Sequence, residues 1–187
     1  MKINYISEGV IAEGGLSRVL THRTQPFAIL TAYRGDYSLK ENRARNRQLE
    51  SKLRSISAGG MKLVGHWQEG PDGEWSPDLD PELLTDVVEE SYFVPKPNSL
   101  DESSFREWVV GVLVEFSQDA AVYSDGEKIY LIDQNHDLIT IGNNISVGKV
   151  QQAYSEIRGK SFVFEGSIYP SSIAHRMALK NRNIFWK

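Results

Sequence analysis

Two stretches of helical period, each set between apolar runs of strand length, constrain this chain more than any other feature. In the first, "SLKENRARNRQLESKLRSIS", Ser38 is followed three residues later by Glu41. That is a capping box, so a helix is expected from about 39 to 57, ending before Gly59-Gly60. In the second, Phe105, Trp108, Val109, Val112, Leu113 and Phe116 recur at an amphipathic period, with Ser103 or Ser104 as the cap. Strand signals surround both: "FAILTAY" after Pro26, "MKLVGHWQE", and "VVEESYFV" stopped by Pro95 and Pro97. "DAAVYSDGEKIYLID" reads as two strands about Asp125-Gly126, a strong hairpin signal. Strand, helix, strand, strand, helix, strand, strand is the order of an α+β fold. It predicts a ferredoxin-like split βαβ core, with two helices on one face of an antiparallel sheet, over about Pro26 to Asp133.

Outside this core, Leu16, Val19 and Leu20 after Gly14-Gly15 predict a short helix, and the Pro- and Gly-rich stretch 70–82 predicts a loop. After "LITIGNN" a helix from about Val147 to Ile157, the strand "SFVFEG" and a basic segment partly helical from Ser172 to Leu179 are expected. Residues 1–143 then form the core domain with its N-terminal helix. Residues 144–187 form a C-terminal helix-strand extension packed on it, because about 45 residues rarely fold alone.

Composition sets the chemical limits. A chain of 187 residues that is 40% hydrophobic can bury one substantial core. It has no cysteine, so disulfides, thiolate metal sites and cysteine nucleophiles are excluded. His22, His66, His136 and His175 are far apart, and no pair has the i, i+4 spacing of a zinc-binding helix, so neither a metal nor a cofactor is expected. A charged content of 25% and no long apolar run argue against a membrane span, and the first residues lack a secretion signal. The expected location is the cytoplasm, or a particle assembled there. The net charge of -4 makes the whole molecule a poor polyanion binder. Charge is nevertheless segregated, with a basic stretch from Arg34 to Arg54, an acidic one from Glu69 to Glu102 and a basic C-terminal block.

The joint between "FAILTAY" and the first long helix holds the candidate site. Leu49, Leu53 and Ile56 define the core-facing stripe of that helix, and extending the stripe toward its N-terminus reaches Asn46 and Asn42. A buried amide without partners costs roughly 1 to 3 kcal/mol. Each asparagine must therefore bond strand ends or the loop at Gly35, or line a ligand pocket. Arg43 stands near a helix N-terminus, whose dipole disfavours it, while Arg45 and Arg47 lie beyond the worst of that effect. They either decorate the solvent face or help draw an anion, phosphate above all, to the free N–H groups.

Thr31-Ala32-Tyr33, Glu41-Asn42, Asn46, Leu49, Gly65, Glu90-Ser91, Phe116, Gln118, Ala120 and Val122, in that order, resemble a bacterial and phage domain family of unknown function. The likeness covers roughly residues 10 to 133. Tyr33-Arg34-Gly35 stands where many members of that family carry Asn-Pro. The resemblance implies no activity, but it groups Thr31, Asn42, Asn46, Glu90, Ser91 and Gln118 at strand ends or on the inward helix face.

The resulting expectation is a non-catalytic binding or accessory protein of bacterial or phage origin, structural or counter-defence in type. Its polar pocket, built from Thr31, Arg34, Asn42, Asn46, Glu90 and Gln118, would take a nucleotide-like or other anionic ligand. Two alternatives stand beside it. "YRG" at 33–35, "SIS" at 55–57 and Glu89-Glu90 resemble, in order, the arginine, serine and glutamate motifs of NAD-using ADP-ribosyltransferases. Tyr92, Phe93, Tyr123 and Tyr130 resemble the stacking aromatics of a single-stranded nucleic-acid binder. A protein partner is expected at the C-terminal tail, where Phe185 and Trp186 sit on a basic background.

Overall fold

A computed structural model of the chain describes residues 15–69, 80–83, 85–147, 153–157 and 160–165. Helix α1 (Gly15–Thr21) precedes β1 (Phe27–Leu30), α2 (Leu39–Ser55), β2 (Met61–Glu69) and β3 (Thr85–Pro95). Then come α3 (Glu102–Glu115), β4 (Ala120–Ser124), β5 (Ile129–Asp133), β6 (Leu138–Gly142), β7 (Asn144–Val147), β8 (Ala153–Ile157) and β9 (Lys160–Glu165). The fold is α+β. Residues 70–79, the helix expected at 172–179 and the tail aromatics Phe185 and Trp186 lie outside the described residues.

Local chemistry sets the helix limits. The capping box of α2 is present: the Ser38 side chain accepts the Glu41 N–H, and the Glu41 carboxylate accepts the Ser38 N–H at 2.9 Å. Asp101, not Ser103 or Ser104, caps α3, its carboxylate accepting the Ser104 N–H at 2.7 Å. Both long helices end with a serine in the left-handed region, Ser57 at φ 57° and Ser117 at φ 51°. The next residue turns its N–H back to the helix, Ala58 to the Leu53 carbonyl and Gln118 to the Leu113 carbonyl. This termination is usually left to glycine, because a side chain in that conformation costs roughly 1 to 2 kcal/mol. In the β4–β5 hairpin Gly126 does hold the positive φ, at 96°, and the Asp125 carboxylate binds the N–H groups of Glu127 and Lys128.

Among the described residues, nine strands form one sheet in the order β6-β5-β4-β1-β3-β2-β8-β9-β7, and every pairing is antiparallel. The helix expected from Val147 to Ile157 is not formed where the structure describes it, because Ala153–Ile157 is β8. Tertiary pairing decides this. β2 is nine residues long and its outer edge would otherwise present open backbone, which β8 covers in the register Val64↔Glu156 to Trp67↔Ala153. The expected helix-strand extension is therefore a set of strands added to the same sheet.

The sheet separates two cores. Leu49 and Leu53 of α2 and Phe105, Val109, Val112 and Leu113 of α3 pack on one face, against Ala28, Leu30, Tyr92, Val94 and Tyr123. On the other face Leu16 and Val19 of α1 join Phe27, Leu63, Phe93, Ile129, Ile141 and Ile145, with the Phe27 and Phe93 rings stacked at 4.7 Å. Fully burying a side chain of this size contributes about 1.5 to 3 kcal/mol. The second cluster draws on strands from the middle and from both ends of the sheet, so the sheet must curl around it. Connectivity requires the same: β6 and β7 lie at opposite ends of the strand order, yet only Asn143 separates them in sequence. β6 also comes close to β9.

The buried tyrosines are the titratable part of the first core. Burial pushes Tyr92, Tyr123 and Tyr130 up to about 12, and the hydrogen bond from Tyr130 to Asp125 adds to its shift. Unfolded tyrosines ionise near pH 10. Between about pH 10 and 12 the unfolded chain sheds protons that the folded chain keeps, so stability present below pH 10 is lost over that interval. The buried Tyr123 hydroxyl has no hydrogen-bond partner among the described residues. Tyr123→Phe should thus equal or exceed the wild type by about 1 kcal/mol in denaturant unfolding at pH 7, and lose less above pH 10. A clear destabilisation at pH 7 would show that the hydroxyl is bonded after all. Ser57→Gly should add about 0.5 to 1 kcal/mol in the same assay, the relief of the left-handed φ exceeding the added entropy of the unfolded chain; an unchanged midpoint would contradict it.

Candidate functional site

β1 leaves the ladder at Leu30, which is opposite Tyr92, although "FAILTAY" predicted a strand to Tyr33. The next residues are buried, so their backbone groups need partners away from water. Side chains supply partners for the N–H and carbonyl of Ala32, Tyr33 and Arg34, and the Tyr37 N–H also donates to the Arg34 carbonyl. Asn46 Oδ1 accepts the Ala32 N–H at 2.9 Å, and Arg45 Nε donates to the Ala32 carbonyl at 2.7 Å. Thr31 Oγ1 accepts the Tyr33 N–H at 3.0 Å, and Gln118 Nε2 donates to the Tyr33 carbonyl at 2.9 Å. Asn42 binds both groups of Arg34, accepting its N–H and donating to its carbonyl, each at 2.9 Å. An amide offers one acceptor and two donors in a plane, so Asn42 stands in for a neighbouring strand residue.

The same side chains reach further. Asn46 Nδ2 donates to the Glu90 carbonyl at 2.8 Å, the Thr31 hydroxyl donates to that oxygen at 2.9 Å, and Asn42 Nδ2 also meets the Tyr37 carbonyl at 3.3 Å. Asn42 and Asn46 are only 6% and 2% exposed. The core-facing stripe is therefore real, and of the two roles open to its amides the structure shows bonding to strand ends and loop.

The arginines serve a different helix from the one that carries them. α3 has no basic residue in its last turn, and its C-terminal carbonyls lie beside the β1–α2 joint. Arg45 donates to the Phe116 carbonyl, Arg34 to the Ser117 carbonyl, and Lys52 pairs with Glu115. Cations placed there complement the negative end of the α3 dipole. Arg45 also lies over the rings of Tyr37, at 4.6 Å, and Phe116, at 5.7 Å. It is half-buried, not solvent-face decoration. Arg34 Nε bonds Asp36 at 2.9 Å, and this hydrogen bond holds the Asp36 carboxyl below its usual range. At the N-terminus of α2 the Glu41 carboxylate already takes the Ser38 N–H.

The structure thus brings together Thr31, Arg34, Asn42, Asn46 and Gln118, with Glu90 contributing its carbonyl while its side chain is exposed. Ser91 does not join them: it follows Glu90 in β3 and faces the other side of the sheet. The signal for Arg45 is the end of α3 without a basic residue, visible in sequence only once the two loops are known to meet. Lys40, Arg43 and Arg47 are exposed on α2, with the Tyr33 hydroxyl hydrogen-bonded to Arg43, while the Tyr37 ring, 41% exposed, lies against Arg45. Burial, and next the Glu90 charge, raise the Tyr33 pKa.

The residues matched to transferase motifs do not converge. Arg34 precedes α2 and Ser57 follows it, and seventeen helical residues span about 25 Å. Tyr92, Phe93 and Tyr123 are buried, and Tyr130 bonds Asp125 at 2.8 Å, so these aromatics build core. Among the described residues no group of three or more His, Asp or Glu side chains could hold a metal ion, and no helix is long and apolar enough to cross a membrane. No protein-family model matches the sequence, and a search of curated proteins finds no match.

Asn46→Leu fits the apolar stripe but strands the Ala32 N–H and one donor to the Glu90 carbonyl. The Glu90 carbonyl keeps the Thr31 hydroxyl, so with one group left unsatisfied a loss of about 1 to 3 kcal/mol is expected in urea unfolding. A variant as stable as the wild type would show that the amide is dispensable.

Proposed function

We propose that the chain is a non-catalytic binding or accessory protein whose ligand surface is the cationic and aromatic rim over the β1–α2 joint. The observation that carries this reading is the commitment of Thr31, Asn42, Asn46, Gln118, Arg34 and Arg45 to backbone partners. Side chains held in this way make a rigid base and are poorly placed to shuttle protons. Lys40, Arg43 and Arg47 follow one another at spacings of 3 and 4, so they share one side of α2, with the Tyr33 hydroxyl bonded to Arg43, while the exposed Tyr37 ring stands beside Arg45. Cations beside an exposed aromatic ring suit a nucleotide-like anion, with phosphate on the charges and the base on the ring.

The separation of Arg34 from Ser57 disfavours a transferase, and burial of the sheet aromatics disfavours single-strand stacking. The same reading takes β1 to β4 with α2 and α3 as a ferredoxin-like core. It is supported by the strand order β4-β1-β3-β2 and by both helices sharing one core cluster. Bacterial or phage origin, a cytoplasmic location and a protein partner at the C-terminal tail rest on the sequence alone.

The test is thermal unfolding of the full chain with ATP, NAD and ADP-ribose. Ligand at about 100 times its dissociation constant adds about 2.7 kcal/mol. A rise in Tm is expected that Arg43→Ala and Lys40→Ala each reduce. No shift at millimolar ligand, or a shift that both variants keep, would sink the proposed surface. Release of nicotinamide from NAD would sink the non-catalytic reading.

A further inference from the structure

The outward side of α2 carries a row of cations. At about 100° per residue, Lys40, Arg43, Arg47 and Arg54 all fall within about 60° of one another, on the side of the helix turned away from the buried Leu49 and Leu53. With a rise of about 1.5 Å per residue they follow at about 4.5, 6 and 10.5 Å along the axis, a row of about 21 Å. All four are exposed. The other residues on that side, Ala44, Gln48, Ser51 and Ser55, are exposed and uncharged, and the Ser51 and Ser55 hydroxyls turn back onto the carbonyls of Arg47 and Lys52.

The carboxylates of α2 and of the end of α3 are already engaged. Glu41 is bound by Ser38, Glu50 bonds Arg54 at 2.8 Å, and Glu115 pairs with Lys52 on the flank toward α3. Among the described residues Lys40 and Arg47 are in no ion pair, and Arg43 bonds the neutral Tyr33 hydroxyl. The Arg54 side chain is 74% exposed in its pair, so its guanidinium, with five donors, still offers N–H groups to solvent. Like charges three and four residues apart destabilise a helix, and a polyanion laid along the row relieves that repulsion. The net charge of -4 does not oppose this, because at physiological salt charges more than about 8 Å away are largely screened.

We propose that the row Lys40, Arg43, Arg47 and Arg54 binds the phosphate backbone of a double-stranded nucleic acid without reading its sequence. The inference rests on the reading of α2 as the ligand surface and deepens it: the row runs on to Arg54, and the ligand is a polymer. One phosphate group can bridge neighbours such as Arg43 and Arg47, whereas the whole row needs phosphates repeated along its length. A duplex carries one charge per about 1.7 Å of its axis, both strands counted, so it meets that need. A single strand is held by rings stacked on its bases, and the row contains none, the exposed Tyr37 ring standing apart beside Arg45. Between the cations Ala44, Ser51 and Ser55 are too short to reach base edges, so the contacts stay with phosphate and sugar.

Fluorescence anisotropy of the full chain with a labelled DNA duplex of about 20 base pairs tests the row, beside the separated strands and thermal unfolding with ATP. Neutralising three or four phosphates gives log K a slope of about −2.7 to −3.6 against log salt, so duplex binding should weaken about 40- to 150-fold from about 50 to about 200 mM salt. Arg47→Ala and Arg54→Ala should each flatten the slope by about 0.9, while Lys128→Ala, which removes an exposed cation from the β4–β5 hairpin, should leave it unchanged. Arg54→Ala should also keep the rise in Tm that ATP gives. Circular dichroism establishes that each variant is folded before it is titrated. Tighter binding of the single strands, or an equal loss in Arg47→Ala and Lys128→Ala, would overturn the proposal. An ATP shift without duplex binding overturns this inference alone, whereas the absence of both removes the nucleotide reading with it.

Discussion

Six consecutive backbone groups, the N–H and carbonyl of Ala32, Tyr33 and Arg34, leave the β-ladder while still buried, and one whole end of the molecule is arranged to meet them. The partners come from Thr31 just after β1, from α2 and from the segment after α3, so satisfying this short piece of chain also ties both helix crossovers together. In a low-dielectric setting such bonds are strong when complete and costly when one is missing, which favours a single arrangement over several loose ones. The arginines follow from the same constraint. Once the α3 terminus is drawn against the joint, its carbonyls need donors, and α2 is the element close enough to offer them.

Much of this was legible as demand and little of it as supply. The stripe Leu53, Leu49, Asn46, Asn42 reads directly from helical period, and it states that two amides are buried. What they bond does not read from period, because the partners are 14 and 44 residues away from Asn46 and are backbone atoms, which carry no residue identity. The family resemblance groups Glu90 with Ser91, whereas alternation in a strand sends neighbours to opposite faces. Helix α2 was placed closely by its capping box, a local interaction complete within four residues. β8 was missed because its five residues hold too little pattern to outweigh a partner strand that lies almost 90 positions earlier.

The two faces of the sheet divide the labour of the chain. The helical face holds the larger core and the bonded joint, so its polar residues are consumed in structure. The curled face has an apolar centre closed by α1, and the buried Ser124 hydroxyl at its margin accepts the Gly126 N–H.

The curl also bears on how the chain must emerge from the ribosome. β2 acquires its outer neighbour only when residues 153–157 have been made, and at about 5 to 20 residues per second that leaves its edge uncovered for roughly 4 to 18 seconds. During that interval the nascent protein carries a long, open strand able to pair with another chain. Slow translation between β3 and β8, or a chaperone that shields strand edges, would therefore set the yield of folded molecules more than the stability of the finished fold does.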